Sequence, residues 1–219
     1  MPAGAKVPHP AGEASAVHVR LLGRFSVTLG EREAGPWPRP SAKRICELVL
    51  VSPGHRIGRE HACELLFGNL GPAEASNALS RALSLARSTL SALGEEVVHL
   101  LSADRTQVWV PPELPLAVDL VAHGSALRAA LEATPGPERD QLLVEALQEE
   151  RVLLEDEPYS DWAIGPREAL ESLRQRARFE LARDRSRGRG SARPEAVAEA
   201  WEKCLAHDPA SEEATSALM

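Results

Sequence analysis

Asn77, Ser80, Arg81, Ser84, Arg87, Ser88 and Ser91 recur at spacings of three and four, and no acidic residue falls among them. On a helix that spacing stacks them along one face, which then offers amide and hydroxyl hydrogen-bonding groups and two guanidinium charges. The matching chemistry is hydrogen bonding to, and charge neutralisation of, a polyanion such as nucleic acid. A merely solvated face of small polar residues is the alternative, and this stretch alone does not separate the two.

The elements that would position this face lie within residues 58–93. Ala75, Leu79, Ala82, Leu83, Ala86, Leu90 and Leu93 follow the helical period and predict a buried stripe opposite the polar one. Pro72 suits a first helical turn, because its missing N–H is not needed there, and Glu74 sits favourably near the positive helix end. Upstream, Ala62, Cys63, Leu65, Leu66 and Phe67 fit a shorter amphipathic helix, and Gly68, Asn69, Gly71 and Pro72 supply the break. Two helices so close in sequence must cross.

Residues 1–16 are rich in Pro, Ala and Gly without periodicity and predict a disordered lead-in. Alternation then predicts a strand pair, with Val17, Val19 and Leu21 in one strand and Phe25, Val27 and Leu29 in the other. Prolines make residues 31–40 a loop anchored by Trp37. Ser41 is the expected N-cap of a helix over 41–51 that buries Ile45, Cys46, Leu48 and Val49. Lys43 and Arg44 fall in its first turn, where positive charge opposes the helix dipole, so they serve a partner or are simply solvated. Val97, His99 and Leu101, then Thr106, Val108 and Val110, predict a β-hairpin across a Ser102–Arg105 tip. Strand, strand, helix, helix, turn, helix, hairpin over residues 17–112 is the order of a winged helix-turn-helix.

The second half, 113–219, opens with an extended connector and becomes helical throughout. Helices are expected around Leu120–Leu131, Leu142–Leu153, Arg167–Ala182 and Glu195–Ala206, separated by TPGP, by the Asp161–Trp162 helix start and by a basic Gly-rich loop, RDRSRGRGSARP. Trp162 is expected to anchor the core. Short Pro- and Gly-marked turns between helices suggest an all-α, tetratricopeptide-like array. The fold class is therefore an α+β N-terminal winged helix-turn-helix domain followed by an all-α tetratricopeptide-like helical domain.

Composition narrows the function. The 219 residues carry a net charge of −7, but residues 1–112 hold 12 Lys/Arg against 10 Asp/Glu, and residues 113–219 hold 13 against 22. That asymmetry fits a first half that meets phosphate. No run approaches the about 18 apolar residues of a membrane span, and the start lacks a signal-peptide pattern, so a cytoplasmic protein without membrane contact is expected. Cys46, Cys63 and Cys204 are far apart and lie in apolar helical patterns, which predicts buried free thiols rather than disulfides or a metal site. Glu149, Glu150, Glu155, Asp156 and Glu157 lack nearby His or Cys at ligand spacing, and Arg187-Gly188-Arg189-Gly190 lacks the Lys-Ser/Thr of a phosphate loop. The chain is expected to be no enzyme and to need no cofactor or metal.

The segments VHVRLLGRFSVTLG, Trp37, SAKRICELVLVSPGHRIGREHACELLFG and PAEASNALSRALSLARSTL, in that order, resemble the OmpR-type DNA-binding domain of the Streptomyces antibiotic regulatory protein family. PLAVDL, EDEPYSDWAIGPREALESLRQRA and AVAEAWEKCLAHDPASEEATSALM are similar to the bacterial transcriptional activation domain that follows it in that family, and relatives continue the last helix beyond Met219. The resemblance implies an activator that binds promoter direct repeats in double-stranded DNA, contacts RNA polymerase and forms head-to-tail homodimers on DNA. The residues themselves make Asn77, Ser80, Arg81 and Ser84 candidate base-edge readers, and Arg87 and Ser88 candidate phosphate contacts. Arg105 at the hairpin tip is expected to reach a minor groove or backbone, with Lys43, Arg44, Arg56 and Arg59 as further phosphate contacts. The rival reading is a protein-interaction scaffold in a signalling complex, built on a degenerate winged helix.

Overall fold

A computed structural model of the chain describes residues 16–188 and 193–219. The expected lead-in, apart from Ala16, lies outside the described residues, as does the middle of the RDRSRGRGSARP segment. The chain divides into two compact units, Met1–Val118 and Asp119–Met219.

In the first unit, β1 (Val17–Arg20) pairs antiparallel with β2 (Ser26–Leu29), Val17 opposite Leu29. Val17, Val19, Val27 and Leu29 are buried while His18 and Arg20 face outward, the alternation that a half-covered sheet demands. Gly30 takes φ 60 in the turn after β2, a left-handed conformation that costs a residue without Cβ nothing. The chain then returns as β3 (Arg32–Glu33), so the expected loop over 31–40 contains a short edge strand. Trp37 closes the loop, its ring 5.8 Å from that of Phe25.

Helix α1 (Pro40–Val51) begins one residue before Ser41, and extended Arg39 takes the capping position. Pro40 accounts for the shift: its ring fixes φ near the helical value and it has no N–H to satisfy. The expected inward residues Ile45, Cys46, Leu48 and Val49 are buried. After β4 (Arg56–Gly58) come α2 (Arg59–Phe67) and α3 (Pro72–Leu90). Every expected stripe residue of α3 is buried, Leu79, Ala86 and Leu90 completely. On α2 only Ala62 is fully buried, with Leu65 36% exposed and Cys63 half-buried.

Two expectations near the hairpin fail. Residues 97–101 are no strand: Glu95–Val98 is a single helical turn, α4, entered through Gly94 at φ 147. Alternation would have left Leu100 on the solvent side, whereas a helical turn buries Val97, Leu100 and Leu101 together and exposes His99. The hairpin is therefore shorter, β5 (Ser102–Ala103) with β6 (Gln107–Trp109), and β4 completes its sheet in the order β4-β6-β5. The expected connector after Pro112 contains β7 (Leu116–Val118), which pairs parallel with β1 and makes the first sheet four-stranded in the order β3-β2-β1-β7.

The second unit holds α5 (Asp119–Glu132), α6 (Pro137–Ala146), α7 (Ile164–Ser186), α8 (Pro194–His207) and α9 (Glu212–Ala217). Sequential helices pack on one another, and α5 also packs on α7. Trp162 is half-buried in the turn before α7 and does not serve as the expected anchor. That part falls to Trp201, 3% exposed among Ala182, Ala200, Cys204 and Ala214, with its indole N–H donating to Ser186 Oγ at 2.8 Å. Helix α7 runs four residues past its expected end at Ala182, because Arg183 and Arg185 hold carboxylates on neighbouring helices instead of entering a loop: Arg183 pairs with Glu213 and Arg185 with Asp140.

Candidate nucleic-acid interface

Asn77, Ser80, Arg81, Ser84 and Ser88 all lie exposed on α3. The buried stripe turns them outward: Leu79, Ala82, Leu83 and Ala86 are covered, and Asn77, Ser80, Arg81, Ser84 and Ser88 fall on the opposite side of the helix. Leu70, Glu74, Asn77, Ser80 and Arg81 line one shallow depression, so the first turns of α3 present a continuous polar surface beside the interhelical turn. Ser80 is not idle within it. Its hydroxyl donates to Ser76 O at 2.9 Å and accepts from Arg59 Nη2 at 3.0 Å.

The hairpin tip is built by one carboxylate. Asp104 Oδ1 accepts from the backbone N–H of Thr106 at 2.7 Å, from that of Gln107 at 2.8 Å and from Thr106 Oγ1 at 2.9 Å. Those donors hold the Asp104 carboxyl below the ordinary carboxylate range. The turn leaves Arg105 exposed at the apex. Arg105 and Arg59 share a concave surface with Glu60, Cys63, Phe67 and Pro72, which places the tip beside α2 and the start of α3. The backbone N–H of Arg59 donates to Thr106 O at 2.8 Å, so the tip also satisfies a donor in the first turn of α2.

The remaining candidates separate. Arg56 is exposed on β4, opposite Trp109 of β6. Arg44 is exposed on α1, and Lys43 is half-buried with its Nζ 3.4 Å from Glu47 Oε1. Neither α1 residue lines the surfaces on which Arg59, Arg81 and Arg105 lie. Arg87, expected near phosphate, is half-buried, and its Nε donates to Leu101 O at 2.7 Å. Burial, and then the nearby Arg59 guanidinium, lower its pKa.

Sequence reasoning missed Asp104 as the organiser of the tip, although Asp-Arg-Thr is an Asx-turn pattern that could have revealed it. It also missed Leu70 and Ser76, for which no local signal exists. Among the described residues no helix is long and apolar enough to cross a membrane, and no three His, Cys, Asp or Glu residues gather where they could hold a metal ion.

A helix-turn-helix followed by a hairpin that pairs with a strand from the middle of the unit, and then a run of helices, defines a class of architecture: a small β-containing unit of winged-helix type ahead of a helical one. Among solved structures it is similar to Mycobacterium tuberculosis EmbR, determined in complex with a low affinity phosphopeptide, at TM-score 0.60 and 20% identity. The likeness covers 92% of this chain and 53% of that one, so this chain spans about half the length of its structural neighbour. At that identity the likeness is one of fold. No protein-family model matches the chain, and no curated protein is a significant match.

Proposed function

We propose that this protein is a sequence-specific DNA-binding transcription regulator of the Streptomyces antibiotic regulatory protein type, acting in the cytoplasm as an activator. The observation that carries the reading is the exposed face of α3: Asn77, Ser80, Arg81, Ser84 and Ser88 face outward with no acid after Glu74, between an interhelical turn and a hairpin tipped by Arg105. In a winged helix that helix enters the major groove with its first turns against base edges. Asn77, Ser80, Arg81 and Ser84 then read bases, Ser88 and Arg56 lie nearer phosphate, and Arg105 reaches the flanking backbone or minor groove. Arg44, and Lys43 beyond its pair with Glu47, are more distant phosphate contacts. Promoter direct repeats, a homodimer on DNA and contact with RNA polymerase through the helical unit complete the reading. It is non-enzymatic and needs no cofactor.

The test is an electrophoretic shift with the gene's own upstream region over a series of salt concentrations. Binding whose logarithm falls linearly with that of salt, and which weakens in Arg81→Ala with the fold intact, supports the proposal. Binding to no promoter fragment, together with recovery of a stable protein partner from cells, overturns it in favour of the interaction scaffold.

A further inference from the structure

We infer that Arg87 is a positioning residue: its guanidinium ties the base of the β5–β6 hairpin to α3, so that the polar face of α3 and Arg105 meet DNA at one fixed spacing. The inference rests on the DNA-binding reading for its consequence, though not for its geometry. Strand β6 is held on its other side by β4, but β5 is the edge of that sheet: it pairs with β6 through Ser102 and Ala103, with one further bond from the Asp104 N–H to Gln107 O at the tip, and an arm so short holds little by itself. Leu101, immediately before it, is completely buried, and a carbonyl beside the core needs a donor. Arg87 Nε supplies one at 2.7 Å from the α3 side. At the other end of the hairpin the backbone N–H of Arg59 holds Thr106 O at 2.8 Å, while its side chain reaches Ser80 of α3 at 3.0 Å. Arg87 thus fixes the base and Arg59 the tip, and both ties end on the helix whose face is offered to DNA. A half-buried arginine whose Nε is held by a backbone carbonyl does not fit a side chain extended to phosphate.

Two variants separate the roles. Glutamine places its side-chain nitrogen at the same position along the chain as arginine Nε but without charge, so Arg87→Gln keeps the tie and removes the cation. Arg87→Ala removes both. In the full-length protein without DNA, amide hydrogen exchange over residues 102–109 is expected to quicken about tenfold or more in Arg87→Ala and to stay near wild type in Arg87→Gln. On a mixed-sequence duplex at low salt, Arg87→Ala is expected to bind several-fold more weakly with an unchanged salt slope, and Arg87→Gln to bind like wild type. Hairpin exchange unaltered in Arg87→Ala, or a salt slope lower by about 0.9 in both variants, overturns the inference and makes Arg87 a phosphate contact. Should Arg87→Ala not fold, Arg87→Gln carries the test through its exchange and slope. Should the wild type bind no DNA, the DNA reading fails while the exchange result still decides whether the tie exists.

Discussion

Helices α3 and α7 use arginine in opposite ways. On α3, Arg81 projects from an exposed face made otherwise of Asn, Ser and, in the first turn, Glu74. On α7, arginines hold other elements. Arg167 donates to the carbonyls of Leu153, Leu154 and Glu157, and Arg174 to His123 and to Arg151 O. Arg183 joins Glu180 of α7 to Glu213 of α9 and Arg185 grips Asp140 of α6, while Arg178 pairs with Glu171 within α7. The acidic excess of the second half is therefore partly internal: its carboxylates face the arginines that knit the helices together. Within the first unit Arg87 and Arg59 follow the α7 pattern more than that of Arg81. A count of basic residues overstates what a helix can offer a partner.

The largest effect expected from this contrast is at Arg139. It is 6% exposed on α6, its Nη2 2.9 Å from Glu180 Oε2 and its Nε 3.4 Å from Asp184, which is itself 2% exposed. Arg139→Ala removes the guanidinium beside the buried Asp184 carboxyl, and removal of one member of such a buried pair costs about 3–5 kcal/mol. Urea unfolding followed by circular dichroism should show the loss, with DNA affinity at low denaturant unchanged. The double variant Arg139→Met/Asp184→Leu should recover most of it. A stable single variant would break the comparison, because it would make a buried, paired arginine of the helical unit as dispensable as an exposed one.

Arg81→Ala is the converse. Stability should stay within about 0.5 kcal/mol of wild type, as for other exposed surface substitutions. Binding to the cognate site should weaken by about 1–3 kcal/mol with relaxed preference at one base position if Arg81 reads a base. If it meets phosphate, weakening should be uniform across sequences and the salt slope should fall by about 0.9. Selection from a random DNA pool with both proteins distinguishes the two.

How much of this was legible in the sequence follows from the range of each interaction. The apolar stripe is six residues of α3 in helical register, with Leu93 in the turn that follows, bounded by Gly71-Pro72 and Gly94, a local pattern that reports burial directly, and the β1–β2 alternation is as plain. Strands β4 and β7 were not legible: three residues give no reliable period, and their partners β6 and β1 lie far along the chain. The run from Val97 to Leu101 fits both periods, and only the need to cover Leu100 selects the helical turn. Outward-facing residues of the candidate interface could be read from the same stripe. Which of their atoms are already engaged could not, because the Arg87–Leu101 and Arg59–Ser80 bonds depend on how α3 meets the hairpin and α2. The ion pairs of α7 likewise join residues that no local pattern connects.

A smaller, pH-dependent effect is expected at His123, buried on α5. Arg174 Nε donates to His123 Nε2 at 3.1 Å, which requires that nitrogen to be unprotonated. Burial first, and then the Arg174 charge, lower the histidine pKa, while Glu149 and Asp119 oppose the shift. The folded state therefore favours neutral imidazole, and its stabilising contribution is complete above the ordinary histidine value of about 6.5. As pH falls below that value the unfolded chain takes up a proton more readily than the folded one, and stability declines until the lowered pKa is passed. His123→Gln can still accept from Arg174 but does not titrate, so the dependence of the urea midpoint on pH in this window should flatten. An unchanged slope in that variant would assign the dependence to another group.

The smallest effect is expected at Arg151, which forms with Glu149 the exposed counterpart of the Arg139 pair. Arg151 Nε lies 3.0 Å from Glu149 Oε1, its side chain half exposed, and the contact lowers the Glu149 carboxyl to about 2. Water competes for both charges, so Arg151→Ala should cost about 0–1 kcal/mol, shrinking further with added salt. The sign with pH is opposite to that of His123 in origin but the same in direction: the depressed carboxyl contributes above the ordinary glutamate value of about 4.3 and loses its contribution as pH falls toward 2. The backbone carbonyl of Arg151 still accepts from Arg174 Nη2 in the variant, which confines the change to the exposed pair. A loss approaching that of Arg139→Ala would break the comparison, because an exposed pair would then contribute as much as a buried one.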